Sequence, residues 1–407
     1  MTKLYFPDPR VRQRLYEGPL AIYIDEFADQ LKRQGYCHAT AREKLRLIAH
    51  LSRWLDCNQL HAEDLNEACV ARFRRYRRRR DRLDRHAVST CKVLLAQLRA
   101  AGVIAPVPDL HEDTVQRRIE DDYKTYLARE RGLATATISN YTGVVRDFVA
   151  AKPMLDTLCP ADIHAFIRRC SRKYSRRRLQ LIVCGLRSFL RYLQQRGTLS
   201  AELATAVPTV ANWRYAEVPK TITPAQVEQL LAACDPATVA GRRDRAVLLL
   251  LARLGLRASE VVALRLDDID WAAGTFIVRG KGPRREVMPL PADVGQALAD
   301  YLADGRPKCE SRRLFVRLCA PYRGLKDASS LCDVVKRALA RAGIDAPFKG
   351  AHLLRHSLAT RLLAGGASLA EIAELLRHER LETTQIYAKL DLGGLRSLAQ
   401  PWPGGAA

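Results

Sequence analysis

Helical periodicity runs through almost the whole of this 407-residue chain and fails in three places: residues 105–109, 206–219 and 275–290. A chain patterned this way has to bury apolar stripes helix against helix. The first two interruptions (APVPD and AVPTVANWRYAEVP) carry closely spaced prolines and little periodicity, so they read as linkers. The third, TFIVRGKGPRREVMPL, sets two short β-type runs around Gly280-Lys281-Gly282 and reads as a hairpin. The expectation is a mainly α multidomain protein: two helical domains over 1–106 and 110–205, then an α+β domain with a small β-sheet over 220–400. At about 150 residues per domain, this length accommodates such a division.

The first two parts read as copies of each other. LKRQGYCHAT (31–40) lines up with LARERGLATAT (127–137), pairing Gly35 with Gly132 and Thr40 with Thr137, and LHAEDL (60–65) pairs with LCPADI (158–163). Each copy reads as four or five helices, one capped by Thr40 or Thr137, another opened by an acidic turn. The sharpest correspondence is basic: Arg74-Arg75-Tyr76-Arg77-Arg78-Arg79-Arg80 falls on Arg172-Lys173-Tyr174-Ser175-Arg176-Arg177-Arg178. These runs are expected between two helices or at the start of one. A single charge run is ordinarily a solvated face. Two at equivalent places, each around a tyrosine, point to phosphate contacts by Arg74, Arg75, Arg78, Arg79, Arg172, Lys173, Arg176, Arg177 and Arg178.

The net charge of +23 names a class of partner, a polyanion, without naming a reaction. A composition 48% hydrophobic and 27% charged is ordinary for a globular chain. No apolar run approaches the roughly 18 residues of a membrane span, and MTKLYFPDPRVRQR is no signal peptide, so neither a membrane-spanning nor a secreted chain is expected. The eleven cysteines never form CxxC or CxH and read as buried, reduced thiols of an intracellular protein. No metal, cofactor or disulfide framework is expected.

Chemistry concentrates in the third part, which opens with a cap, a first-turn proline and a capping-box partner at Thr223-Pro224-Ala225-Gln226. In AHLLRHSLATRLLAGG, His352 and Arg355 stand at i and i+3 of a helix that stops at Gly365-Gly366. SLAEIAELLRH follows, with Ser368 and Glu371 as a capping box and His378 at its end; TTQIYAKL then opens another helix carrying Tyr387. Upstream, Arg257 precedes an amphipathic helix whose N-terminus can help hold an anion, and Lys281 sits at the hairpin tip. Donors and proton carriers surround one phenol. That set suits phosphodiester chemistry: arginines clamp the nonbridging oxygens, the tyrosine attacks phosphorus, and a lysine or histidine protonates the departing oxygen.

The motifs GLRASEVVALRLDDID, RGKGPRREVMPLP, HLLRHSLATRLLAGGASLAEIAELLRH and TTQIYAKLD, in this order across about 180 residues, resemble those of the tyrosine site-specific recombinase (phage integrase) family. The second part also resembles that family's helical core-binding, SAM-like domain. The resemblance implies a DNA recombinase of a mobile element, acting in DNA integration or transposition. Tyr387 would form a 3′-phosphotyrosine, Arg257 and Arg355 would hold the scissile phosphate, and Lys281 would act as general acid. His352 would assist proton transfer, His378 would hydrogen-bond the phosphate, and Glu260 would orient Arg257; His356 reads as structural.

The resemblance further implies double-stranded DNA wrapped as by a clamp, and a homotetramer on paired sites formed from monomers or dimers. Residues 390–398 are the candidate docking segment. Accessory or sister recombinases would be possible partners, and the location would be the bacterial cytoplasm at the nucleoid. Two departures stand out: Arg377 where the family usually has glycine, and Lys389 in place of a frequent histidine. The alternatives are a type IB topoisomerase-like enzyme, or a catalytically weak DNA-binding accessory protein.

Overall fold

A computed structural model of the chain describes residues 2–79, 87–106, 115–199, 201–211, 218–280, 284–378 and 380–390. Lys281, Arg80 and nearly all of the 390–398 segment lie outside the described residues. The chain divides into two compact units, Met1–Pro106 together with Glu217–Ala407, and Val107–Ala216.

In the first unit, the helices Ile24–Arg33, His38–Cys57, Glu67–Arg78 and Ala87–Ala100 close over Leu45, Ile48, Leu51, Trp54, Phe73, Leu94 and Leu98. Gly35 reverses the chain after the first of these helices at φ +79°, and a Cβ there would meet the Tyr322 ring at 2.1 Å. The Tyr322 N–H donates to the Gln34 carbonyl at 3.0 Å, so the N-terminal helices dock on the rest of the unit through a turn suited to glycine.

The second unit holds its own four helices, Val115–Arg129, Thr135–Ala151, Pro160–Lys173 and Arg176–Gln195, around Tyr123, Val145, Phe148, Phe166, Phe189 and Tyr192. Gly132, like Gly35, has a left-handed backbone after the first helix. The following helices start earlier than expected, at His38 and Thr135, with Cys37 and Ala134 as extended N-caps. Thr40 and Thr137 therefore lie inside the first turn. Thr40 still serves it: its Oγ1 is 3.2 Å from Cys37 Sγ.

The first basic run differs from expectation, whereas the second lies between two helices as expected. Arg74 to Arg78 occupy the last turns of Glu67–Arg78 and Arg79 is its C-cap, so this run ends a helix. Cations there complement the negative end of the helix dipole, which fixes their place without reference to a ligand. The other run straddles two helices: Arg172 and Lys173 end one, and Arg176, Arg177 and Arg178 open the next.

The remainder of the first unit packs Val239–Arg253 against Ala292–Asp304 and His352–Ala364, with Leu248 to Leu251 at its centre beside Tyr301, Phe315 and Val335. The expected hairpin is present: β2 (Thr275–Arg279) pairs antiparallel with β3 (Arg285–Pro289), Phe276 opposite Met288. A two-residue strand, β1 (Ile269–Asp270), completes a sheet of order β1-β2-β3. The capping boxes at Thr223/Gln226 and Ser368/Glu371 form as the sequence indicates. Tyr387 lies in a 3₁₀ segment, Gln385–Leu390, where an α-helix was expected. Its ring is anchored sideways in a small core with Leu358, Ala359, Ile372 and Leu376.

The cysteines are free, and Cys37, Cys57, Cys159, Cys184 and Cys319 are exposed, against the expectation of burial. Among the described residues, no helix is long and apolar enough to cross a membrane.

Candidate active site

Arg257 is the N-cap of Ala258–Ala263, and one carboxylate holds both its backbone and its side chain. Its N–H donates to Glu260 Oε2 and its Nη1 to Glu260 Oε1, both at 2.8 Å, while Nη2 reaches the Arg377 carbonyl at 3.1 Å. The helix is only six residues long, and the N–H of its cap residue is taken by Glu260. Glu260 is buried. Burial alone would raise its carboxyl, but Arg377 and Arg257 outweigh that and hold it below the usual carboxylate range.

Arg355, 3% exposed, projects from the His352–Ala364 helix and donates to the carbonyls of Gly255 and Leu376. Burial and the nearby Arg257 lower its pKa to about 10, which leaves it charged at neutral pH. Gly255 aims its carbonyl by adopting φ +58°, with Leu376 so close that a Cβ would fall 2.6 Å from its Cδ2. Gly255 and Leu376 thus shape the site although sequence reasoning passed over them. The available signal was a glycine two residues ahead of Arg257.

His378 Nδ1 lies 2.6 Å from the Oγ1 of fully buried Thr384, which leaves Nε2 as its open face. Tyr387 is 1% exposed; burial pushes its phenol up to about 12, opposed by Arg355. Its Oη is 2.8 Å from His356 Nδ1, so the histidine that read as packing touches the phenol. The signal was His356's place beside Arg355 and one turn from His352, whose exposed ring lies 6.2 Å from it.

Arg377 has the left-handed backbone, φ +53°, that explains why glycine suits this position. Its side chain, 9% exposed, turns inward: Nη2 donates to Glu260 Oε2 at 2.7 Å, and Nε is 3.7 Å from Glu286 on β3. One carboxylate therefore serves two arginines, and Arg377 ties the turn before His378 to the sheet.

The fold thus gathers Arg257, His352, Arg355, His378 and Tyr387, with Glu260 behind Arg257. Of the basic runs, Arg74, Arg75, Arg78, Arg79, Arg172, Lys173, Arg176 and Arg177 are exposed, whereas Arg178 is half-buried and donates to Asn140 Oδ1 at 3.1 Å.

A stability prediction follows from the two histidines. Burial, reinforced for His356 by His352 and Arg355 and for His378 by Arg355 and Arg257, lowers both imidazoles to about 4. Unfolded histidine titrates near about 6.5, so between these values the unfolded chain binds more protons. Stability is then complete above about pH 6.5 and falls as the pH drops towards 4. The urea midpoint is expected to be lower at pH 5 than at pH 7, and His378→Asn should shrink that difference. An unchanged difference in the His378→Asn variant would mean that the His378 imidazole is not buried neutral.

Residues 220–392 match the Phage integrase family model, and residues 121–197 match the phage integrase N-terminal SAM-like domain. A putative integrase/recombinase, y4rA of Sinorhizobium fredii, is 44% identical over 396 residues, 96% of each chain. The chain belongs to the phage integrase family of tyrosine recombinases. It is accordingly an enzyme of DNA strand exchange, and DNA is its partner. Tyrosine recombinase XerD of Listeria monocytogenes is 34% identical, covering 66% of this chain and 92% of its own length. Among solved structures, XerH bound to palindromic difH substrate matches 72% of this chain and 86% of its own, at 20% identity and TM-score 0.55. A lambda integrase (75–356) dimer bound to a COC′ core site matches 71% and 98%, at 17% identity and TM-score 0.52. These two show the same fold. The topoisomerase and accessory-protein alternatives find no support in these likenesses. The y4rA match also takes in most of the first hundred residues, which neither family model covers.

Proposed function

We propose that this recombinase cuts and rejoins duplex DNA through a 3′-phosphotyrosine on Tyr387, releasing a 5′-hydroxyl. Arg257 and Arg355 hold the nonbridging oxygens, His378 donates to the phosphate from Nε2, and His352 assists proton transfer at the exposed mouth of the site. Lys281 serves as general acid, and Glu260 orients Arg257. The observation that supports this reading is a single phenol set beside a charged, backbone-anchored Arg355, in a pocket that also contains Arg257 and His378. Residues 1–106 and 110–205 act as related helical DNA-binding modules that meet backbone phosphates through their basic runs. Four protomers act on two paired sites in the bacterial cytoplasm, at the nucleoid, on behalf of a mobile element. A structure of the Tn1549 transposon integrase with circular intermediate DNA shares the fold.

A two-site substrate tests this. Joining of arms from different sites, through a four-way junction and with chelator present, is the expected result. Relaxation of supercoils without exchanged arms would overturn it.

A further inference from the structure

We propose that His356 is a catalytic residue: it takes the phenolic proton of Tyr387 during cleavage and returns it during rejoining. This rests on Tyr387 being the nucleophile. Three observations support it. His356 Nδ1 lies 2.8 Å from Tyr387 Oη, within reach for direct transfer, with the rings tilted 59° and their centroids 5.7 Å apart. The contact is between consecutive parts of one small core, since Tyr387 packs on Leu358 and Ala359, in the same helix as His356. Burial and, among the described residues, His352 and Arg355 on its own helix and His378 after the following helix keep His356 uncharged at rest, while its Nδ1 meets the neutral phenol. The imidazole therefore rests neutral, and in its Nε2–H tautomer the Nδ1 lone pair faces the phenolic O–H, the arrangement from which it can take the proton.

The phenol needs such an acceptor. Burial raises its pKa to about 12, so spontaneous ionisation at neutral pH leaves roughly one molecule in 10⁵ reactive. In the forward step the Oη–H bond breaks and the proton moves to Nδ1. The Oη–P bond forms, the P–O5′ bond breaks, and the departing oxygen receives a proton from the general acid. On rejoining, the 5′-hydroxyl attacks phosphorus as its proton returns to the general acid, the P–Oη bond breaks, and the imidazolium returns its proton to Oη. No further reactant is consumed.

The rival role for His356 is to hold the ring in place. Asparagine can accept the same hydrogen bond but not the proton, so His356→Asn separates the two. On a nicked duplex carrying the full site, the full-length His356→Asn protein is expected to bind DNA as the parent does and to cleave about 10²–10⁴-fold more slowly. A 5′-bridging phosphorothiolate, whose sulfur leaves without protonation, should leave that defect in place while relieving the defect of Lys281→Ala. Fluorinated tyrosine at 387, ionised near neutral pH, should recover at least tenfold in the His356→Asn background. Cleavage by His356→Asn within about threefold of the parent, or no recovery with fluorotyrosine, would overturn the proposal and leave His356 a positioning residue. His356→Gln supports the same comparison if the asparagine variant fails to bind DNA. Adduct formation by Tyr387→Phe would instead overturn the underlying assignment of the nucleophile.

Discussion

Tyr387→Phe is expected to abolish the covalent protein–DNA adduct while leaving DNA binding nearly intact. On a nicked substrate, cleavage lets the short strand diffuse away, so the parent protein accumulates an adduct that survives denaturant. The substitution removes one oxygen from a ring that otherwise sits fully packed among Leu358, Ala359, Ile372 and Leu376. No cavity opens, and the cost to the fold is the unpaired His356 Nδ1, about 1–3 kcal/mol at most. Arg257 and Arg355 keep their own anchors on Glu260, Gly255 and Leu376, so the cations proposed to meet the phosphate stay in place. An effect confined to chemistry, with affinity held, is the signature of a group that acts only as bonds change. Gel shift and denaturing gel on the same samples make the comparison. Equal adduct from the phenylalanine variant would remove Tyr387 from the reaction.

The second large effect concerns the N-terminal module. Replacing Arg74, Arg75, Arg78 and Arg79 with alanine should flatten the dependence of log affinity on log salt by roughly two to four units on long DNA, at about 0.9 per phosphate contact. It should also shorten the nuclease-protected footprint on one side. These arginines are exposed and carry no core packing, since the helix buries Cys69, Val70 and Phe73. The change in stability is therefore limited to the helix-end dipole contribution, of order 0.3–1 kcal/mol per cation at most. A minimal core duplex should show a smaller change, because it offers that module no backbone. An unchanged slope and footprint on long DNA would make the run a helix terminus and nothing more.

The motifs that bear chemistry were legible because their spacing is set by helix periodicity. His352 and Arg355 share a face, Thr223 and Ser368 cap where they should, and the Gly-bounded hairpin pairs as written. What the sequence concealed lies in contacts made across long separations. His356 meets a phenol 31 residues away, and Arg355 depends on a carbonyl 100 residues away. Carbonyls have no residue signature, so Gly255 and Leu376 could not be named from side-chain chemistry. The helix starts at His38 and Thr135 were misjudged because threonine caps and first-turn threonines look alike in one dimension. Tyr387 fell in a 3₁₀ segment because ring burial fixed the local backbone more strongly than propensity did.

Arg377 carries a consequence for substitution at its own position. Its left-handed backbone costs roughly 1–2 kcal/mol that glycine would not incur. Yet glycine there would remove one of the two arginines on buried Glu260, leaving its carboxylate to Arg257 alone. Arg377→Gly is therefore a trade, in which backbone strain is relieved and a buried ion pair is lost together with the reach towards Glu286 on β3. A change at 377 therefore reaches the turn before His378, the carboxylate behind Arg257 and the edge of the sheet together.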